Sequence, residues 1–200
     1  MTLDEKHQGL KEIKDELLNL TSSPLYEYRQ ANKYYPVIGE GNHEARVMFV
    51  GEAPGKNEAL TAKPFCGASG RILDELLNSI GLKRSDVYVT NIVKDRPPAN
   101  RDPSPEEIIF YGPFLDRQIE IIEPEIIATL GRFSMKYILD KFDSSERLRS
   151  IGELHGRVIP GSLKGLAMSV LPLYHPAAAI YNQALKNTLF KDFQVLKVLT

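Results

Sequence analysis

Short apolar runs that end in glycine or polar residues occur four times along the chain. They lie at 46–51, 87–93, 126–130 and 168–173. Such runs, bounded by loop signals, are typical of strands that are buried on both faces. Between them, apolar residues recur every three or four positions, as in amphipathic helices. This alternation predicts an α/β fold, a three-layer α/β/α sandwich with a four-stranded, mainly parallel sheet.

Local signals predict where several helices begin and end. Thr2 and Glu5 have the spacing of a capping box, and the first helix should end near residue 20. A helix from residue 68 should stop before Gly81, and another should begin after Ser104 and run to about residue 122. Residues 143–166 favour a loop with a hairpin at 156–161. No linker divides the chain, so we predict one domain over 1–200, with residues 1–45 as a helix and connector packed on it.

Composition limits the possible functions. The net charge is −1 over 200 residues, which argues against non-specific coating of nucleic acid but allows a local basic groove. No apolar run approaches the ~20 residues of a membrane span, and the amino terminus is charged, so we expect a cytoplasmic protein with no membrane contact. We also expect a monomer. Cys66 is the single cysteine, which excludes an intrachain disulfide and a Cys-x-x-Cys metal site.

Chemically useful residues follow the carboxyl ends of the predicted strands. Glu52 and the loop to Phe65 follow the first strand, Asn91 lies at the end of the second, and His175 follows the fourth. Parallel strands bring these ends to one edge, where open α/β sheets bind ligands. The sequence therefore predicts one cleft there.

Five motifs then carry a resemblance. They are Gly-Glu-Ala-Pro-Gly at 51–55, Lys-Pro-Phe-Cys-Gly at 63–67, Thr-Asn-Ile-Val-Lys-Asp-Arg-Pro-Pro-Ala-Asn-Arg-Asp-Pro at 90–103, Thr-Leu-Gly-Arg at 129–132 and Tyr-His-Pro-Ala at 174–177. Together they resemble the ordered motifs of the uracil-DNA glycosylase superfamily, and most of all its family 4, over roughly residues 20–200. The resemblance implies an enzyme that hydrolyses the N-glycosidic bond of uracil in single- or double-stranded DNA and leaves an abasic site.

The resemblance also assigns roles around the base. Phe65 matches the aromatic that stacks on the flipped uracil, Asn91 the asparagine that pairs with its Watson–Crick edge, and His175 the histidine that bonds its O2 atom. Gly51, Glu52 and Ala53 would line the same pocket. In the best-known branch of the superfamily a carboxylate that activates water stands at the position of Ala53, although family 4 lacks it too. Glu52 is the nearest candidate here, either orienting water or contacting the base through its backbone neighbours.

Other positions are expected to contact DNA. One of two bulky residues after His175 would wedge into the minor groove, because bulky side chains replace an extruded base. Basic residues in the loops at the ligand edge fit phosphate contact or ordinary solvated surface. The expected DNA-contacting residues are Lys94, Arg96, Arg101, Arg132 and either Ile180 or Tyr181.

One departure from family 4 concerns its iron–sulfur cluster. Members usually hold four irons and four sulfurs on four cysteines, and Leu20, Ser23, Asp95 and Tyr111 stand at the matching positions. None can supply a thiolate, on which cluster ligation depends. We therefore expect neither the cluster nor any other metal or cofactor.

Other interpretations stay open. Taken singly, Phe65 fits a core aromatic, Asn91 a turn former and His175 a structural loop histidine. Only their joint placement favours a working site. A non-catalytic module that binds uracil or another deaminated base remains an alternative. So does a glycosylase with altered base choice, such as hypoxanthine.

Overall fold

A mixed sheet forms the middle layer. The computed structural model describes the backbone of residues 1–199 and the side chains of residues 1–198; Thr200 and the side chain of Leu199 lie outside the described part. The strands are β1 (Glu40–Gly41), β2 (Val47–Gly51), β3 (Tyr88–Asn91), β4 (Ile126–Leu130), β5 (Ile159–Leu163) and β6 (Leu166–Leu173). Within residues 1–199 these six strands are ordered β1-β3-β2-β4-β6-β5.

The four inner strands, β3, β2, β4 and β6, are parallel, which confirms the predicted centre of the sheet. The two edge strands, β1 and β5, pair antiparallel and add to the predicted number. Apolar patterning could not reveal them, because β1 has only two residues and β5 contains Pro160 and Gly161, which weaken a strand signal.

Helices cover both faces of the sheet. They are α1 (Leu3–Asn19), α2 (Tyr26–Ala31), α3 (Lys56–Thr61), α4 (Ala68–Ser79), α5 (Pro105–Ile122), α6 (Arg132–Lys141), α7 (Ile151–Leu154) and α8 (Gln183–Leu199). Along β2, Val47 and Phe49 pack in the core beneath α4 and α8, whereas Met48 and Val50 pack in the core beneath α1, α5 and α6. The pleat sends successive side chains to opposite faces, so this alternation produces the predicted three layers.

The residues that were predicted to begin and end helices adopt the expected capping structures. In α5, Glu107 N–H donates to Ser104 Oγ at 3.2 Å, and Ser104 N–H donates to the Glu107 carboxylate at 2.9 Å. Thr2 and Glu5 form the same reciprocal pair at the start of α1. Gly81 follows the cap of α4 with φ +82°, a left-handed conformation that glycine adopts without strain.

The predicted hairpin is displaced. Its turn lies at Lys164 and Gly165, with φ of +48° and +86°, and it joins β5 to β6 rather than falling within 156–161. Two consecutive positive φ values are typical of the tight turns whose twist matches that of paired strands.

The amino-terminal segment packs on the sheet domain. Lys6 Nζ donates to the carbonyl of Ile122 at 2.9 Å, and Arg117 pairs with Glu16 at 2.5 Å, so α1 is joined to α5. Across the described residues, helices of the length and hydropathy needed to span a membrane are absent.

Candidate active site

A cavity of about 310 Å³ lies beyond the carboxyl ends of the parallel strands. Its walls include five of the residues predicted for the base pocket: Glu52, Ala53, Phe65, Asn91 and His175. The pairing of Gly51 with Asn91 in β2 and β3, and of Leu130 with Leu173 in β4 and β6, aligns the strand ends at this edge. Sheet register thus assembles residues that are far apart in the sequence.

Phe65 forms one wall and has an unusual backbone. Its φ is +50°, which is strained for a bulky residue and persists only where the surroundings enforce it. The guanidinium of Arg84 donates to the carbonyl of Phe65 at 2.9 Å and to Asp74 at 2.6 Å. This anchor holds the ring against the cavity.

Gly51 lies where Phe65 and Asn91 meet. A Cβ at this position would lie 2.3 Å from Asn91 Oδ1 and 2.8 Å from Phe65 Cζ, closer than such atoms approach. Any larger residue would displace one of the two side chains. The role of Gly51 is therefore to leave room for both side chains.

Asn91 ends β3 and is only 2% exposed. Lys94 Nζ donates to its main-chain carbonyl at 2.6 Å, while its side-chain amide faces the cavity. A primary amide offers both a carbonyl acceptor and N–H donors, which suits pairing with a base edge.

His175 faces Phe65, with ring centroids 5.8 Å apart and planes inclined at 28°. The main-chain N–H of Ala177 donates to its Nδ1 atom at 3.1 Å. Burial lowers the pKa of His175 to about 4. At neutral pH the ring is uncharged, and because Nδ1 accepts, the proton resides on Nε2.

Glu52 is half-buried at the cavity's rim. Burial first, and then repulsion by Asp102, raises the pKa of its carboxyl to about 7, although Arg132 opposes the shift. Its main-chain carbonyl accepts from the N–H of Val93 at 3.0 Å. The side chain rather than this carbonyl is therefore free to act in the cavity.

Glu58 is a cavity residue that sequence reasoning missed. The segment between β2 and α4 was expected to be loop, but it contains α3, and Glu58 in α3 is 9% exposed and lines the cavity. Its carboxylate accepts from the N–H of Gly67 at 3.2 Å, which joins α3 to the start of α4. Gly55 as the helix cap and Glu58 in the first turn are the weak signals that could have revealed α3.

The residues expected to contact DNA divide into separate groups. Arg101 lines the cavity and forms a two-pronged ion pair with Glu107 at 2.5 and 2.9 Å. Arg132 is largely exposed and pairs with Asp102 at 2.5 Å. Tyr181 is 97% exposed, whereas Ile180 is partly buried.

The side chains of two other residues that were expected to contact DNA make their hydrogen bonds within the protein. Arg96 is partly buried and donates to the hydroxyls of Tyr28 and Tyr34 at 3.2 and 2.7 Å. The predicted phosphate contact by Lys94 is wrong, because the Lys94 side chain is fully buried beneath the sheet edge. A lysine that does not reach the surface cannot contact a DNA backbone.

The four positions that match cluster cysteines do converge. The hydroxyls of Tyr111 and Ser23 donate to Asp95 at 2.6 and 3.4 Å, and Arg29 pairs with Asp95 at 3.1 Å. Arg29 also donates to the carbonyl of Leu20 at 2.8 Å. The space is thus occupied by an arginine and its acceptors, a donor set that does not fit an iron–sulfur cluster.

The acidic, histidine and cysteine side chains are also spread apart elsewhere in the described residues. Groups of three or more histidine, cysteine, aspartate or glutamate residues suited to a metal ion are absent from residues 1–199. The Cys66 thiol is exposed and contacts Thr61 Oγ1 at 3.4 Å, away from Asp95 and its partners.

Comparison with known proteins gives a consistent match. The family model described as the uracil DNA glycosylase superfamily matches residues 38–196. The chain is 45% identical to the type-4 uracil-DNA glycosylase of Saccharolobus solfataricus, over 92% of this chain and 83% of that protein. It is 41% identical to the enzyme of the same name from Archaeoglobus fulgidus, over 94% and 91% of the two chains. The Thermotoga maritima type-4 uracil-DNA glycosylase is 37% identical, over 92% and 91%.

Proposed function

The chain belongs to the uracil-DNA glycosylase superfamily, and from that premise we propose that it hydrolyses the N-glycosidic bond of uracil in DNA and leaves an abasic site. The observation that carries the proposal is the assembly of Phe65, Asn91 and a neutral His175 around one cavity. Uracil must leave the base stack to enter it, because its reactive bond is shielded in a duplex.

Base selection is assigned to Asn91. Its amide can donate to uracil O4 while it accepts from N3–H, whereas cytosine presents the opposite pattern at these two atoms. Phe65 supplies an apolar face on which the flipped base stacks. The close packing of the Asn91 side chain against Gly51 supports this role, since an amide that is free to flip would accept either base.

Stabilisation of the departing uracil is assigned to His175. As the glycosidic bond breaks, negative charge develops on uracil O2, and the Nε2–H of a neutral imidazole can donate to it. The contact from Ala177 aims this proton without charging the ring. Loss of one such donor costs about 10²–10³ in rate in other enzymes.

Water activation is assigned to the Glu52 side chain. Ala53 has no group for this task, and the Glu52 carboxyl has a pKa of about 7, where a general base is effective at neutral pH. The attacking water would be held by this carboxylate on the sugar side of the cavity. The reaction takes up one water and releases uracil and an abasic sugar.

DNA contacts are assigned to the exposed rim. Arg101 and Arg132 lie at or beside the cavity with part of each side chain exposed, as phosphate contacts require. We assign the wedge to Tyr181 rather than Ile180, because Tyr181 is almost completely exposed.

The proposed enzyme is monofunctional, monomeric and free of an iron–sulfur cluster. Among the described residues that line the cavity, lysine is absent, so the amine that would form a covalent imine with the sugar is not available there. The Arg29–Asp95 pair lies among the positions that match the cluster cysteines and ties the amino-terminal segment to the loop after β3, which supports the absence of a cluster.

An incision assay tests the function. Labelled strands that carry uracil, hypoxanthine or a thymine mispair, single- and double-stranded, are incubated with the protein and cleaved with alkali at abasic sites. Cleavage at uracil without a covalent adduct on a denaturing gel supports the proposal. Tight binding without cleavage would instead indicate a non-catalytic module, and cleavage confined to hypoxanthine would indicate altered base choice.

A further inference from the structure

A buried polar network lies directly beneath Asn91. Lys94 Nζ is 2.5 Å from Gln118 Oε1, 2.6 Å from the carbonyl of Asn91 and 2.9 Å from Thr90 Oγ1. A fourth oxygen, the carbonyl of Ile38, lies at 3.4 Å. One side chain thereby joins the connector before β1, the end of β3 and helix α5.

Full burial is energetically unfavourable for a lysine such as Lys94. Lysine is almost never fully buried unless it is paired with a carboxylate, and here all four oxygens within hydrogen-bond distance belong to carbonyl, amide or hydroxyl groups. Burial lowers the pKa of Lys94 well below its ordinary value. Three of the contacts are short, which matches the three N–H donors of an ammonium group.

The network acts on Asn91 through its main chain. Lys94 fixes the carbonyl of Asn91, and the next N–H, that of Ile92, donates to Gly51 at 3.1 Å. The peptide that follows Asn91 is therefore held on both sides. The Asn91 side chain extends from the residue that carries this fixed carbonyl, and it packs against Gly51. A rotation of the peptide would therefore move the side-chain amide away from the edge of a bound base.

We propose that Lys94 is a positioning residue for base recognition, holding the main chain of Asn91 so that its amide meets the uracil edge. This inference rests on the proposed function. Lys94 touches neither base nor DNA and acts through Asn91 alone. Displacements of about 1 Å at a reacting centre cost about 10²-fold in rate, which sets the scale of the expected effect.

The same network supplies a matched control. At its far end the hydroxyl of Tyr88 accepts from Gln118 Nε2 at 3.1 Å, without touching Lys94 or Asn91. Tyr88→Phe removes one buried hydrogen bond of the network and leaves the seat of Asn91 intact. It should excise uracil at the wild-type rate.

The test is a double-mutant cycle on single-turnover excision of uracil from a labelled single strand. Lys94→Met should slow excision by about tenfold to a hundredfold while affinity for the abasic product stays within about twofold. In an Asn91→Ala background the same substitution should have no further effect, because residues that act as a unit are non-additive. A Lys94→Met protein with the wild-type rate, or a fully additive double variant, would overturn the proposal.

Two further experiments apply if Lys94→Met does not fold or if the wild-type protein does not excise uracil. If Lys94→Met does not fold, Thr90→Val removes one of the three short contacts, and its slowing of excision must likewise vanish in the Asn91→Ala background. If the wild-type protein binds uracil-containing DNA but does not excise, the proposed function fails separately. The cycle is then run on the ratio of affinities for uracil- and thymine-containing strands, where Lys94→Met must lower the ratio.

Discussion

The main-chain N–H of Ala177 donates to Nδ1 of His175 at 3.1 Å, and this single contact determines which ring nitrogen carries the proton. Since burial also lowers the pKa of His175 to about 4, the imidazole is neutral at physiological pH. A neutral ring with Nε2–H exposed to the cavity can donate a hydrogen bond to a developing uracil anion. It has no positive charge to lose between pH 6 and 8.

The pH dependence of excision should therefore report Glu52. A carboxyl of pKa about 7 is about one-tenth ionised at pH 6 and about nine-tenths ionised at pH 8, so a rate that requires the carboxylate should rise about tenfold across this range. Single-turnover rates against pH measure it. Glu52→Gln should be slow and flat over the same interval, and a wild-type profile without a rise would remove Glu52 from the mechanism.

Gly51→Ala should abolish most excision without unfolding the protein. The added Cβ would lie within 2.3 Å of Asn91 Oδ1 and 2.8 Å of Phe65 Cζ, so one of these side chains must leave its position. We expect a loss of about 10²-fold in single-turnover rate. Gly152→Ala is the matched control, because its Cβ would meet nothing nearer than 3.6 Å; equal rates for the two variants would contradict the packing argument.

Tyr181→Ala should separate double-stranded from single-stranded substrates. A wedge fills the space left by an extruded base, a space that exists only in a duplex, so excision from duplex DNA should fall at least about tenfold more than excision from a single strand. The rates on both substrates are compared for each variant. Val198→Ala, an exposed apolar position about 22 Å from the start of α8, should change neither rate. Equal losses on both substrates would remove the wedge role.

The Arg29–Asp95 pair should be a major element of stability. Both side chains are at most 3% exposed, and removing one partner of such a pair typically costs about 3–5 kcal/mol because the other charge stays buried. Arg29→Met should lower the free energy of unfolding by that amount in urea denaturation. Asp143→Asn breaks an exposed ion pair with Arg147 and should change it little.

Metal analysis tests the cluster separately. Anaerobically purified protein should contain iron far below one atom per chain, and its excision rate should not respond to chelator or ferricyanide. Stoichiometric iron with visible absorbance would show that a cluster binds despite the missing thiolates.

The inner sheet and the base pocket could be predicted because their signals are local or carried by motifs. Buried parallel strands appear as apolar runs, and Phe65, Asn91 and His175 follow strand ends that topology must bring together. The exceptions depend on tertiary contacts. Lysine is usually a surface residue, and only the contacts of Lys94 with Thr90 and Gln118 show that it lies at the centre of a buried polar network.

The four positions that match the cluster cysteines of family 4 show a second limit of prediction from sequence. The sequence identifies Leu20, Ser23, Asp95 and Tyr111 as non-cysteine residues, but it does not reveal that Arg29 fills the space between them. That arginine comes from α2, an element that apolar periodicity does not mark because it is only six residues long. A buried pair across 66 residues of sequence is visible only in three dimensions.

The most direct test of the central claim is the single-turnover rate of uracil excision by His175→Ala, measured beside the wild type on the same labelled strand. The account predicts cleavage at uracil by the wild type and a loss of about 10²–10³-fold in the variant, because the donor to the departing uracil is removed. A folded His175→Ala protein that excises uracil at the wild-type rate would contradict it.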